Sequence, residues 1–215
     1  MLNEIVKIFE PQITTLNWIE VYGGLAKVMT VGQKHNVVVP VVHHITEEEC
    51  SNNKGVYKWL LPHKEKKSII WFEEVGSVSI VSGQGSSRSR TNSYQGTVRL
   101  FVWLNMAELG FDSYSANHII VNNLVEMFNR KNWGNNGSFL AIETRNVIID
   151  DQATTKSLWN RFSFEKKAHL TMYPYEIASI QFGVSWKMGK NCQPEITIED
   201  PIKCINYANS NVGES

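Results

Sequence analysis

Cysteine is scarce: Cys50, Cys192 and Cys204 are the only three in 215 residues, an odd number at long spacings. A disulfide scaffold packs more cysteines into a shorter chain, and a zinc ribbon needs a C-x-x-C pair, so both are excluded. The three read as buried or incidental thiols in a reducing cytoplasm. Charge of one sign is also missing. The chain carries 21 basic and 21 acidic residues, which excludes the one-signed footprint of a general nucleic-acid binder. No apolar run approaches the roughly 18 residues that a membrane span needs. The opening MLNEIVKIFEPQ sets Glu4, Lys7 and Glu10 among its apolar residues and lacks the unbroken stretch of a signal peptide. Without such a signal, the glycosylation sequon Asn136-Gly137-Ser138 carries no meaning.

What the chain does have is core material. At 42% hydrophobic and 11% aromatic residues, it can bury enough surface to fold. Leu2, Ile5, Val6 and Phe9 repeat at helical spacing, and Pro11 is expected to stop that helix. Trp18–Tyr22 and Leu25–Met29 follow, separated by Gly23-Gly24 as a tight turn or bulge. Residues 36–45 are β-branched, with Pro40 pointing to an edge strand or bulge. Residues 46–67, with three glutamates and a lysine cluster, read as an exposed connection.

The middle of the chain gives the strongest hairpin signal. Ser68–Val81 and Thr97–Met106 are apolar and β-branched, and Val98, Leu100, Val102 and Leu104 share one face. Between them, residues 82–96 (SGQGSSRSRTNSYQG) form an expected long flexible loop with Arg88, Arg90 and Tyr94. A long helix is expected next, from Asp112 as N-cap to Trp133. Ala116, Ile119, Ile120, Asn123, Leu124, Met127 and Phe128 form its stripe. Arg130 and Lys131 complement the helix dipole, and Gly134 is the expected C′ residue. Phe139–Asp150 and Ile177–Met188 read as strands, the second alternating cleanly. Residues 151–175 resist assignment. The expectation is one α+β domain over 1–190. In it an antiparallel sheet carries one long and one short helix on one face, with an extended C-terminal tail over 191–215.

Motifs for catalysis are weak. His35, His43, His44 and His63 fall in one stretch, but His43 and His44 are adjacent in a strand and face opposite ways. No H-E-x-x-H spacing is present, so no metal site is expected. Glu47–Glu49, Glu73-Glu74 and Asp150-Asp151 are sequence-adjacent at strand ends or loops, where charges face solvent. Only four aspartates occur in the chain, which weakens a metal-nuclease reading further. Gly83-Gln84-Gly85 lacks the third glycine, the lysine and the following helix of a phosphate loop. Ser86, Ser87, Ser89 and Ser93 have no G-x-S-x-G context. Arg88, Arg90 and Tyr94 could meet phosphates or a base, as an electrostatic contact rather than a sequence reader. Of seven tryptophans, Trp71, Trp103 and Trp186 read as core. Trp18, Trp59, Trp133 and Trp159 lie near element ends, where exposed aromatics serve protein contacts.

The element order as a whole resembles the tail-terminator and tail-completion proteins of tailed bacteriophages. The resemblance runs over residues 1–190: a short N-terminal helix, a hairpin with an overlong Gly/Ser/Arg-rich tip from Ser82 to Gly96, a helix from Asp112 to Trp133, and the late strand at 178–188. It is a resemblance of layout. Enrichment in Asn, Ile and Lys is of the kind that AT-rich phage genomes encode, such as those of crAss-like phages. The resemblance implies a structural virion protein, not an enzyme, with no catalytic residue and no cofactor. It would form a homo-oligomeric ring between portal and tail around the DNA channel, assembled in the host cytoplasm. The 82–96 loop would order on assembly, with Arg88 and Arg90 facing acidic neighbours or DNA, and the tail would drape over a neighbour. Residues 46–67 and 151–175 exceed a minimal domain of that family. Two rival readings stay open. One is a small hydrolase or metal-dependent enzyme on the His35–His63 stretch with Glu47–Glu49. The other is a nucleic-acid-binding accessory protein.

Overall fold

The computed structural model describes residues 1–31, 37–43, 57–81, 91–110, 115–136, 139–150 and 173–189. In chain order these form α1 (Leu2–Ile13), β1 (Val21–Leu25), β2 (Lys27–Val31), β3 (Val37–His43), β4 (Tyr57–Trp59), β5 (Ser68–Val81), β6 (Thr91–Asn105), α2 (Ser115–Phe128), β7 (Phe139–Asp150) and β8 (Tyr175–Gly189). The five-stranded sheet runs β1-β5-β6-β8-β7, and a second sheet runs β2-β3-β4. The class is α+β, as the sequence implies.

β6 is the axis of the large sheet. It pairs antiparallel with β5 from Ser68↔Leu104 to Val81↔Ser93, and with β8 from Thr91↔Gly189 to Asn105↔Tyr175. β7 pairs antiparallel with β8. The expected all-antiparallel sheet needs one correction, because β1 lies parallel to β5. The chain leaves the far end of β1 for the small sheet and re-enters the large one at the end where β1 began. That path puts β5 alongside β1 in the same direction.

One face of the sheet is packed by both helices. Leu2, Ile5, Val6, Phe9 and Ile13 of α1 share a single core with Ile120, Leu124 and Phe128 of α2 and with Phe72, Leu100, Ile180, Phe182 and Val184 of the sheet. At the other face, Ile69, Trp71, Phe101 and Trp103 are covered by Ala26 and Leu60. Doubly covered strands need no alternation. Hence the unbroken buried run Phe101–Met106.

Several boundaries differ from expectation. β1 runs Val21–Leu25 rather than Trp18–Tyr22, and the stretch 46–67, expected as an exposed connection, holds β4 and the buried Leu60. Pro11 lies inside α1, which continues to Ile13. The proline removes one hydrogen bond near the helix end, and full burial of Ile13 offsets it. The long helix ends at Phe128 rather than Trp133, so α2 with 14 described residues barely exceeds α1 with 12. Asp112, its expected N-cap, lies outside the described residues. The loop expected over 82–96 also shrinks, because Thr91–Gly96 belong to β6. Their polar sequence reads as a turn, but β5 and β8 pair with this segment on both sides. Tyr94 stacks on Trp186 with ring centroids 5.6 Å apart, which places it on the sheet and not on a loop tip. Gly23-Gly24 does form a bulge: Gly24 has φ +61°, and the β1–β5 register shifts between Tyr22 and Leu25.

Candidate functional site

The end of α2 builds the most distinctive surface. Phe128 is fully buried and stacks on Phe182, ring centroids 4.5 Å apart, which fixes where the helix stops. The residue that then turns left-handed is Arg130, at φ 50°. Gly134, the expected C′ residue, has φ 74° but serves the next turn.

Buried Thr144 of β7 holds this turn. Its hydroxyl donates to the Phe128 carbonyl and accepts from Trp133 Nε1 at 3.2 Å, while its N–H donates to the Lys131 carbonyl at 2.9 Å. One helix-end carbonyl and one carbonyl of the following turn are thereby satisfied by one residue. The chain then runs along the outer edge of β7. Trp133 N–H donates to Ile142 O at 2.8 Å, and Ile142 N–H to Gly134 O at 3.2 Å. Isolated bridges join Asn132 to Glu143 and Asn136 to Phe139. Covering an edge in this way blunts unwanted strand pairing.

Where the cover begins, a groove of about 430 Å³ opens. Arg130, Lys131 and Asn132 line one side, Glu143, Arg145 and Asn146 the other, with Thr144 between. Arg145 pairs with Glu143, Nε to Oε2 at 3.1 Å. Lys131 Nζ donates to Gln12 Oε1 of α1 and lies 4.5 Å from the Trp133 ring centroid. Arg130 and Asn146 (φ 52°) are the only non-glycine residues with positive φ among the described residues. Neither side chain hydrogen-bonds another described residue. Sequence reasoning assigned Arg130 and Lys131 to the helix dipole and did not single out Arg145 or Asn146. The available signal was the turn-rich KNWGNNG after an amphipathic helix.

A second polar place lies on the sheet face away from the helices. Arg99 Nη2 donates to Gln181 Oε1 at 3.0 Å across the β6–β8 register. Glu73 sits opposite Arg99 on β5, is 4% exposed, and accepts from Trp71 Nε1 at 3.3 Å. Glu73 thus departs from the expectation that the paired carboxylates face solvent, whereas Glu74 is exposed. Trp71, Trp103 and Trp186 are core, as expected.

Two stretches of sheet edge also stand out. β1 pairs with β5 only as far as Phe72, and beyond it Ile80 and Val81 are 67% and 45% exposed. On β7, past the covered part, Ile148 and Ile149 are 59% and 43% exposed.

Of the residues singled out from sequence, Arg88 and Arg90 lie outside the described residues, as do His35, His44, Glu47–Glu49 and the tail from residue 190. His43 falls in β3 as expected, and His63 is exposed with Nδ1 3.8 Å from Glu65 Oε2. Among the described residues no three metal-ligating side chains come together. No described helix is long and apolar enough to cross a membrane. Compared with models of known families and with curated proteins, the chain matches none.

Proposed function

We propose that this chain is a structural subunit that assembles head to tail into a ring, in the neck or tail of a tailed phage, joining portal to tail around the DNA. The observation that carries it is the pair of apolar sheet edges on opposite sides of one molecule. Ile80 and Val81 mark one edge, and Ile148 and Ile149 the other. Exposed strand edges with β-branched apolar residues are aggregation sites in a lone monomer. Two different edges on one chain suit a heterologous contact, which closes into a ring when its rotation allows. The virion assignment rests on the resemblance of layout.

The test uses Ile80→Asp and Ile148→Asp, both at exposed positions. Light scattering with negative-stain imaging of the wild type should show rings, either alone or with phage neck proteins. Each variant alone should stay monomeric. Mixed together, the two variants retain one intact pair of faces and should stop at dimers. Rings formed equally well by both variants, or a wild type that stays monomeric with every neck partner, would sink the proposal.

A further inference from the structure

From the groove at the end of α2 we infer a second, separate capability: it is a binding site for phosphate groups. The inference rests on the groove alone and not on ring assembly. Three basic residues, Arg130, Lys131 and Arg145, and one acidic residue, Glu143, line the groove, a net of two positive charges. A phosphate dianion balances that excess, whereas a single carboxylate would leave half of it. The groove, at about 430 Å³, has room for a phosphate together with the group it is esterified to.

The helix end would ordinarily oppose an anion, since its free carbonyls carry partial negative charge. Here that opposition is reduced, because Thr144 satisfies the Phe128 carbonyl and Asn129 N–H that of Val125. The cations are held in place without being used up. Lys131 gives one donor to Gln12 and rests on Trp133, which leaves two N–H bonds. Arg145 is oriented by Glu143 and has further donors to spare.

Arg130 and Asn146 are the telling pair. Both hold a left-handed backbone, which a long side chain such as that of Arg130 adopts at a cost and asparagine adopts readily. Glycine would relieve the backbone at either place. What a glycine could not supply is a planar fork of guanidinium donors, or an amide donor facing it across the same groove. One strained arginine and one asparagine, both with uncommitted polar side chains, meet at one groove, and a ligand shared between them accounts for both.

The decisive variant is Arg130→Gly, which relaxes the backbone and removes the guanidinium together. At low salt, calorimetric titration with pyrophosphate should show binding to the wild type. Arg130→Gly should bind at least tenfold more weakly while its thermal midpoint rises. Arg145→Gln provides a second variant with the Arg130 turn intact, and it should weaken binding severalfold. A parallel titration with labelled duplex DNA separates the sources of phosphate. If DNA binds and Arg130→Gly lowers the slope of log affinity against log salt by about one, the site takes two neighbouring phosphodiesters, each with a single charge. If pyrophosphate binds and DNA does not, it takes a free phosphorylated ligand. Both results support a phosphate site. Unchanged pyrophosphate affinity in Arg130→Gly and Arg145→Gln, no binding at low salt, or binding of polyglutamate but not of pyrophosphate would each overturn it.

Discussion

A few residues carry more of this structure than their size suggests. Thr144 is one, since its hydroxyl and amide together fasten the end of α2 to β7. Replacing it with valine keeps the shape and removes the hydroxyl. The Phe128 carbonyl and the Trp133 indole would then both lack a partner, at a cost of about 2 kcal/mol. Chemical denaturation of Thr144→Val should show that loss. Gly23 is a second case. A methyl group there would lie 2.5 Å from Leu60 Cδ1, at the contact that seats the small sheet's flank on the large sheet. Gly23→Ala should therefore cost about 1–3 kcal/mol, and trimming Leu60 to valine in the same chain should recover part of it. Tyr22 ties β1 to α1 through a hydrogen bond from its hydroxyl to Val6 O at 3.0 Å. Burial, with the charge of Glu10 second, pushes its phenol well above the ordinary tyrosine range. The folded state thus keeps a proton that the unfolded chain releases near pH 10. Stability from Tyr22 is complete below that pH and falls as pH rises above it. Tyr22→Phe should be slightly less stable at pH 7 and lose less stability between pH 9 and 11, as followed by alkaline melting curves.

At the scale of elements, α1, β5, β7 and β8 were legible because each has a period and a bounded run. The stripe Leu2, Ile5, Val6 and Phe9 is the buried face of α1, and Ile180, Phe182, Val184 and Trp186 are the buried face of β8. The first residues of β6 were not legible. Thr91–Gln95 has the composition of a loop, and only its neighbours on both sides and the Tyr94–Trp186 stack make it strand. Nor could the parallel β1–β5 pair be read, because strand direction is set by the path through a second sheet. The groove was hidden for a similar reason. Arg130 and Arg145 are 15 positions apart, and they meet only because residues 131–136 fold back along β7. That cover makes its own prediction. Inserting a proline at Ile142, whose N–H bonds Gly134 O, should loosen the cover as well as the strand. Hydrogen exchange would report it as faster exchange at Trp133, while the α1 amides stay protected.

The whole molecule is organised around strands that arrive in an inconvenient order. β7 has no place in the sheet until β8 lies between it and β6. α1, made first, buries Phe9 against Phe182, with ring centroids 6.2 Å apart. A chain ending at residue 172 should therefore lack a cooperative melting transition and be cut rapidly by protease, although it holds every described element but the last. Restoring residues 173–189 as a separate peptide should recover some protection. The same arrangement sets a timetable for synthesis. Phe9 also meets Phe72, Phe128 and Trp133, but its cover is complete only with a strand translated some 170 residues later, so the nascent chain must be kept from its own kind until β8 has emerged. In the proposed ring, neighbouring copies would meet only as finished folds, with the late strand as the clock.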